Sequence, residues 1–253
     1  MMSFPKIRDI TLELLTQCGI EAPPVDLRPV LELFRATVVN SSHIAESALL
    51  EHKDGWTIKV NGSFREERRE FRIAHEIAHI YWSAPEHHRG DPNLGGGLEK
   101  FCSKFASLLL CPHQWFVRDA PEAGYDLFEL KKIYANVSHE VLAFRLSYLT
   151  AMVVRIFDNG KLYRRFTTPG MGIPPAGQKP EAEVLEEVDL YGKFREKRGT
   201  LKWNNEGRKV RVRGYPVFSG GFRRIILVTT PEIVTAAAAG ELEEDMPYPF
   251  PEY

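Results

Sequence analysis

Two imidazoles, His75 and His79, stand four residues apart, with the carboxylate of Glu76 directly after the first. Four residues make roughly one turn of an α-helix, so both rings project from one helical face and can bind one Zn²⁺. Glu76 sits about 100° round from His75. It can therefore reach a water on the metal without taking the water's place. Zinc lowers the pKa of that water to about 7, and a carboxylate so placed accepts its proton as the water attacks a peptide carbonyl. Two histidines at helical spacing can also be merely solvated. Here the flanking Phe71, Ile73, Ala74, Ile77, Ala78 and Ile80 make the segment mostly apolar. Buried imidazoles without partners would be costly there, and a metal supplies the partner.

A catalytic zinc usually takes three protein ligands and keeps one position open. The extended pattern that places a Gly and a third His on the same segment fails, because Trp82 and Pro85 stand at those places. Downstream, His87 and His88 lie in a polar loop and Asp91 follows. Glu99 lies 20 residues beyond His79 at the head of the next helix, a spacing that gluzincin-type proteases use when two helices face one site. Glu99 is the favoured third ligand, because Phe101, Cys102 and Phe105 would hold its helix in the core. Tyr81, Tyr134 and His113 are the candidates for stabilising an oxyanion, and each reads more simply as packing or surface.

The elements that must position these groups are legible in the periodicity. Helices are predicted over Ile7–Cys18 and Leu27–Phe34, then a β-branched stretch at Ala36–Val39. Strands Ala48–Glu51 and Trp56–Val60 flank the turn 52–55. Phe64–Trp82 is the long helix that carries the histidines. Pro85 to Gly97 reads as a loop, and Leu98–Leu110 as a second apolar-striped helix stopped by Pro112. Two more helices, near Asp126–Ala135 and His139–Thr150, flank the turn Asn136-Val137-Ser138; Asn136 suits left-handed geometry and Ser138 an N-cap. Strands 151–157 and 161–168 flank Asp158-Asn159-Gly160, a hairpin signal. An acidic helix over Glu181–Val188 and strands Val210–Val217 and Arg224–Thr229 follow, and residues 246–253 form a Pro-rich extended tail.

The chain has 253 residues, 43% hydrophobic and 26% charged, which excludes fibrous, collagen-like and wholly disordered classes. Cys18, Cys102 and Cys111 are odd in number and form no Cys-x-x-Cys pair, against a disulfide framework or zinc ribbon. The N-terminus is too charged for a signal peptide, and no apolar run approaches the ~18 residues of a membrane span. The expected protein is cytoplasmic, with no membrane partner. Charge is unevenly spread: residues 151–224 hold 16 basic and 8 acidic side chains, a net of +8, whereas 225–253 hold six acidic and no basic ones. No histidine lies beyond His139, so metal chemistry belongs to the first part of the chain.

Linked segments resemble one family. Thr57-Ile58-Lys59-Val60-Asn61 followed by Arg72-Ile73-Ala74-His75-Glu76-Ile77-Ala78-His79 resembles the strand and helix signatures of the ImmA/IrrE metallopeptidases. The helix from Glu99 to Pro112 resembles the Glu-led helix that follows in them, with Cys111 where Met is usual, and Asp126–Leu149 resembles their helix-turn-helix. The resemblance implies His75, His79 and Glu99 as zinc ligands, with Mn²⁺ an alternative metal, and Glu76 as catalytic base. It implies an α+β fold: a zincin-like metalloprotease domain over 1–124, helix-turn-helix helices over 125–150, and a smaller mixed α/β, GAF-like domain over 151–245. It further implies site-specific cleavage of a helix-turn-helix transcriptional repressor. The basic segment 151–224 adds the expectation of a small-molecule or anionic signal at the C-terminal domain.

The substrate is expected to lie extended beside Trp56–Val60 as the edge strand. A rival reading makes the chain a DNA-binding regulator that uses the helix-turn-helix and the basic run Arg208–Arg213 with Arg223 and Arg224. Against it, Asp126–Thr150 has no net charge, where a DNA-reading helix shows a basic excess. A third reading keeps the protease fold as a non-catalytic binding module, which the intact set of His75, Glu76, His79 and Glu99 opposes.

Overall fold

A computed structural model of the protein describes residues 4–84, 95–204, 206–219 and 221–232. The chain falls into two units, the first comprising Met1–Gly124 and Glu129–Ser138 and the second Tyr125–Phe128 and His139–Leu242. The tail 246–253 lies outside the described residues.

The first unit begins with helix α1 (Phe4–Gln17) and the short α2 (Arg28–Leu33). Its sheet comprises β1 (Ala36–Ser41), β2 (Ser47–His52) and β3 (Gly55–Asn61) in the order β1-β3-β2, with β1 parallel and β2 antiparallel to β3. Gly55 has φ +152°, and a Cβ there would meet the carbonyl oxygen of Arg35 at 2.1 Å, so only glycine lets β3 start beside β1. Ile58 and Val60 of β3 are fully buried. Helix α3 (Glu66–Ser83) packs on β2 and β3, and α4 (Gly95–Leu110) packs on α3 and α1. The unit also holds α5 (His113–Glu122).

Several expectations change here. Trp56–Val60 lies in the central strand of the sheet, not at an edge; the edges are β1 and β2. Gly95–Gly97 are not loop but the first turn of α4. Helix α5 was not predicted. Pro112 stops α4 and is at once the N-cap of α5, whose buried Trp115, Phe116, Asp119 and Ala120 mark one helical face. The Tyr134 hydroxyl donates to buried Asp119 at 2.8 Å, which gives that tyrosine a structural partner. Asn136 is not left-handed. Its amide instead donates to the Val25 carbonyl at 2.7 Å.

Helices α6 (Leu127–Ile133) and α7 (His139–Leu146) occupy the two spans read as a helix-turn-helix, and α7 belongs to the second unit. That unit contains β4 (Val153–Asp158), β5 (Lys161–Thr167), α8 (Lys179–Tyr191), β6 (Arg195–Trp203), β7 (Glu206–Ser219) and β8 (Phe222–Pro231). The strands form one antiparallel sheet in the order β5-β4-β8-β7-β6. Asn159 and Gly160 both take positive φ in the β4–β5 turn, as an Asn-Gly hairpin requires. Val184 and Val188 of α8 join Leu201, Trp203, Val212 and Leu227 of the sheet in one apolar cluster. Arg155 and Glu181 form a buried ion pair, and the Thr229 hydroxyl donates to the same carboxylate at 2.8 Å. Burial pushes Arg155 down and Glu181 up, each against the pull of the other.

Strand β6 escaped prediction because its inward-leaning positions carry Arg195 and Lys197. These meet α8: Lys197 reaches Glu187 at 2.7 Å and Glu183 at 3.2 Å, and Arg195 reaches Glu187 at 3.4 Å. The basic run is likewise engaged inside its own unit. Arg213 pairs with Glu196 at 3.0 Å, Arg224 with Asp158 and Glu140 at 2.7 Å each, and Arg223 with Asp189 at 3.1 Å. No helix among the described residues is long and apolar enough to cross a membrane.

Candidate metal centre

Helix α3 is buried on nearly all sides in its second half, where Ile73, Ala74, Ile77, Ala78 and Ile80 surround His75 and Glu76. Its N-terminal turn carries Glu66 and Glu67, the charge sign that a helix start favours. Arg68 and Arg72 reach Glu46 at 2.7 and 2.5 Å, tying α3 to the chain just ahead of β2. The Asn61 amide donates to the Ile44 carbonyl at 2.8 Å, and the Asn61 N–H to the Glu46 carbonyl at 2.9 Å. The last residue of β3 thus fixes the approach to β2 and places Ser47.

The helical spacing brings His75 and His79 together: their Nε2 atoms lie 3.3 Å apart and their ring centroids 5.0 Å. Glu99, in the first part of α4, sets Oε2 at 3.2 Å from His75 Nε2 and Oε1 at 3.3 Å from His79 Nε2. Zinc bonds of 2.0–2.1 Å in tetrahedral geometry separate neighbouring donors by roughly 3.3 Å. The three side chains stand at close to those separations, each imidazole facing a different oxygen of the carboxylate, and the donor set fits one zinc ion. Burial, reinforced by the neighbouring His79, pushes the His75 imidazole down to about 4, so at neutral pH it is unprotonated, the form that binds metal.

Ser103 lies one turn beyond Glu99, and its hydroxyl stands 3.4 Å from His75 Nδ1, the ring nitrogen facing away from Glu99. Such a contact behind a ligating histidine holds its tautomer and orientation. Glu76 is buried beside this cluster and accepts a 2.6 Å hydrogen bond from Ser47 Oγ. The thiol of Cys102 also belongs to the cluster: its Sγ and one ring nitrogen from each of His75 and His79 all lie within 4.8 Å of one another.

Of the residues expected from sequence, His75, Glu76, His79 and Glu99 lie together. His87, His88 and Asp91 lie outside the described residues. Tyr81 packs its ring on Phe105, centroids 5.5 Å apart. Sequence reasoning missed Ser47, Ser103 and, as a donor, Cys102. The last two were detectable, because positions three and four beyond Glu99 share its helical face. Ser47 carries no such signal, since its place depends on strand pairing.

Residues 35–147 match the IrrE N-terminal-like domain, a peptidase family. Among solved structures, the chain is similar to a Mycobacterium tuberculosis transcriptional regulator at 18% identity, over 89% of this chain and 76% of that chain, with a TM-score of 0.66. At that identity the likeness shows the fold. No curated protein matches the chain.

Proposed function

From a chain whose residues 35–147 form an ImmA/IrrE-type, metallopeptidase-like domain, we infer a zinc-dependent endopeptidase that cuts a protein substrate at a defined site. One observation carries this reading: two imidazoles and a carboxylate converge at 3.2–3.3 Å with a second carboxylate, Glu76, buried beside them. His75, His79 and Glu99 would hold the ion, which when bound supplies Lewis acidity towards a carbonyl and acidifies water. Glu76 takes the proton of the attacking water and passes it to the nitrogen of the departing amine. The Ser47 hydroxyl occupies one Glu76 oxygen and leaves the other for that proton. Ser103 keeps the His75 ring in register.

Strand β2 is the sheet edge that reaches Glu76 through Ser47. A peptide added to β2 in extended form would bring its main chain past that carboxylate. The substrate we propose is a helix-turn-helix transcriptional repressor, whose cleavage would release a stress or mobile-element regulon. The family resemblance supports this, and the name of the structural neighbour, a transcriptional regulator, agrees with a role in gene control. The DNA-binding alternative uses the helix-turn-helix and the basic run, and within that run Glu196 already pairs with Arg211 and Arg213, at 3.6 and 3.0 Å.

The test is incubation of the metal-loaded protein with the repressor encoded beside its gene. One discrete cut is expected. Glu76→Gln should lower the rate by roughly 10²–10⁴-fold while keeping metal and fold. Undiminished cleavage by that variant would defeat the mechanism.

A further inference from the structure

We propose that Cys102 is a fourth protein ligand to the ion held by His75, His79 and Glu99, able to close the site by taking the position that catalysis leaves to water. The proposal rests on the metal site inferred above. Cys102 follows Glu99 by three residues on α4, so the helix turns both side chains to one face. It is wholly buried, and its sulfur lies within 4.8 Å of a ring nitrogen of each histidine. Burial, with the carboxylates of Glu99 and Glu76 adding to it, pushes the thiol up, so it stays protonated until a metal binds it.

The sulfur and the two ring nitrogens are gathered within 4.8 Å of one another. A sulfur at 2.3 Å and a nitrogen at 2.0–2.1 Å from one tetrahedral zinc lie roughly 3.6 Å apart. From within 4.8 Å, a shift of at most about 1.2 Å brings the sulfur to each nitrogen at that distance, and the exposed carboxylate of Glu99, which lies outside this group, would adjust with it. As the sulfur–metal bond forms, the thiol proton leaves to solvent and the water in the fourth position is released. Thiolate is a favoured ligand for zinc, and a set of two His, one Glu and one Cys has no open position. The protein would then have a resting form that retains metal and does not hydrolyse peptides.

Cobalt reports this directly. The full-length protein loaded with Co²⁺ should show a thiolate-to-cobalt charge-transfer band in the near ultraviolet. The band should vanish in Cys102→Ala and Cys102→Ser, which still bind stoichiometric cobalt through the other three residues. It should persist in Cys111→Ala. Stoichiometric cobalt without the band in the unmodified protein overturns Cys102 as ligand and leaves the three-residue site standing. A band that survives loss of Cys102 overturns the proposal in the same way. Failure of the unmodified protein to take up stoichiometric cobalt overturns the underlying site as well.

Discussion

Ser47, the first residue of the edge strand β2, donates its hydroxyl to Oε1 of Glu76 at 2.6 Å, joining the sheet to the centre of α3 across 29 positions of sequence. A carboxylate held by one oxygen is fixed in rotation, so its second oxygen points in one direction. Ser47→Ala should therefore lower the cleavage rate by roughly 10-fold, a typical loss for a supporting contact. Metal content and thermal midpoint should stay level, and Ser47→Thr should restore much of the rate. Metal loss parallel to rate loss would mean that Ser47 supports only the fold.

Glu99→Ala removes the only carboxylate that reaches both imidazoles among the described residues. The two histidines with the Cys102 thiol make a weaker site than the full set, so metal content after dialysis should fall below that of the unmodified protein. Elemental analysis checks this. Unchanged stoichiometry would give the place of third ligand to Cys102, His87, His88 or Asp91.

Acid should weaken the metal-free protein through His75. Its folded imidazole sits at about 4 against an ordinary 6.5, mainly through burial. The folded state keeps the ring neutral while the unfolded chain takes up a proton. The stability this represents is complete above 6.5 and is lost as pH falls from there to about 4, with roughly 3 kcal/mol at stake. Urea unfolding of the metal-free protein across that interval should show the loss, and His75→Gln should flatten it. An equally steep decline in His75→Gln would assign the effect to other groups.

In the second unit, α8 lies against a glycine. A Cβ at Gly214 would stand 2.6 Å from Val188 Cγ2 and 2.7 Å from Val184 Cγ1, both on branched side chains with little freedom. Gly214→Ala should cost about 1–3 kcal/mol through overpacking. Chemical denaturation measures it, and a neutral result would show that α8 can lift from the sheet without penalty.

The convergence of these side chains was legible because helical spacing is local. His75 and His79 declare their common face in five residues, and Glu99 needs only the position of the next helix start. The central place of β3 was not legible, because a parallel partner such as β1 is chosen by packing between distant segments and leaves no mark at Trp56–Val60. Strand β6 was obscured because Arg195 and Lys197 fill positions that a strand pattern reserves for apolar residues, and the acids that justify them lie on α8. Helix α5 was missed because Pro112 announces the end of one helix and gives no sign that it also begins another.

The partners of Arg213 and Arg224 have a practical consequence for dissecting the chain. Asp126 lies 3.9 Å from Arg213 and accepts the Tyr215 hydroxyl at 2.9 Å, and Glu140 binds both Arg224 and Arg164. Both acids precede residue 151, and between them Glu129–Ser138 belongs to the first unit. A fragment beginning at residue 151 would take one acidic partner each from Arg164, Arg213, Arg224 and Tyr215. One beginning at Tyr125 would carry Glu129–Ser138, which belongs to the other unit. The chain thus crosses from one unit to the other more than once, and no single protease nick releases either of them whole.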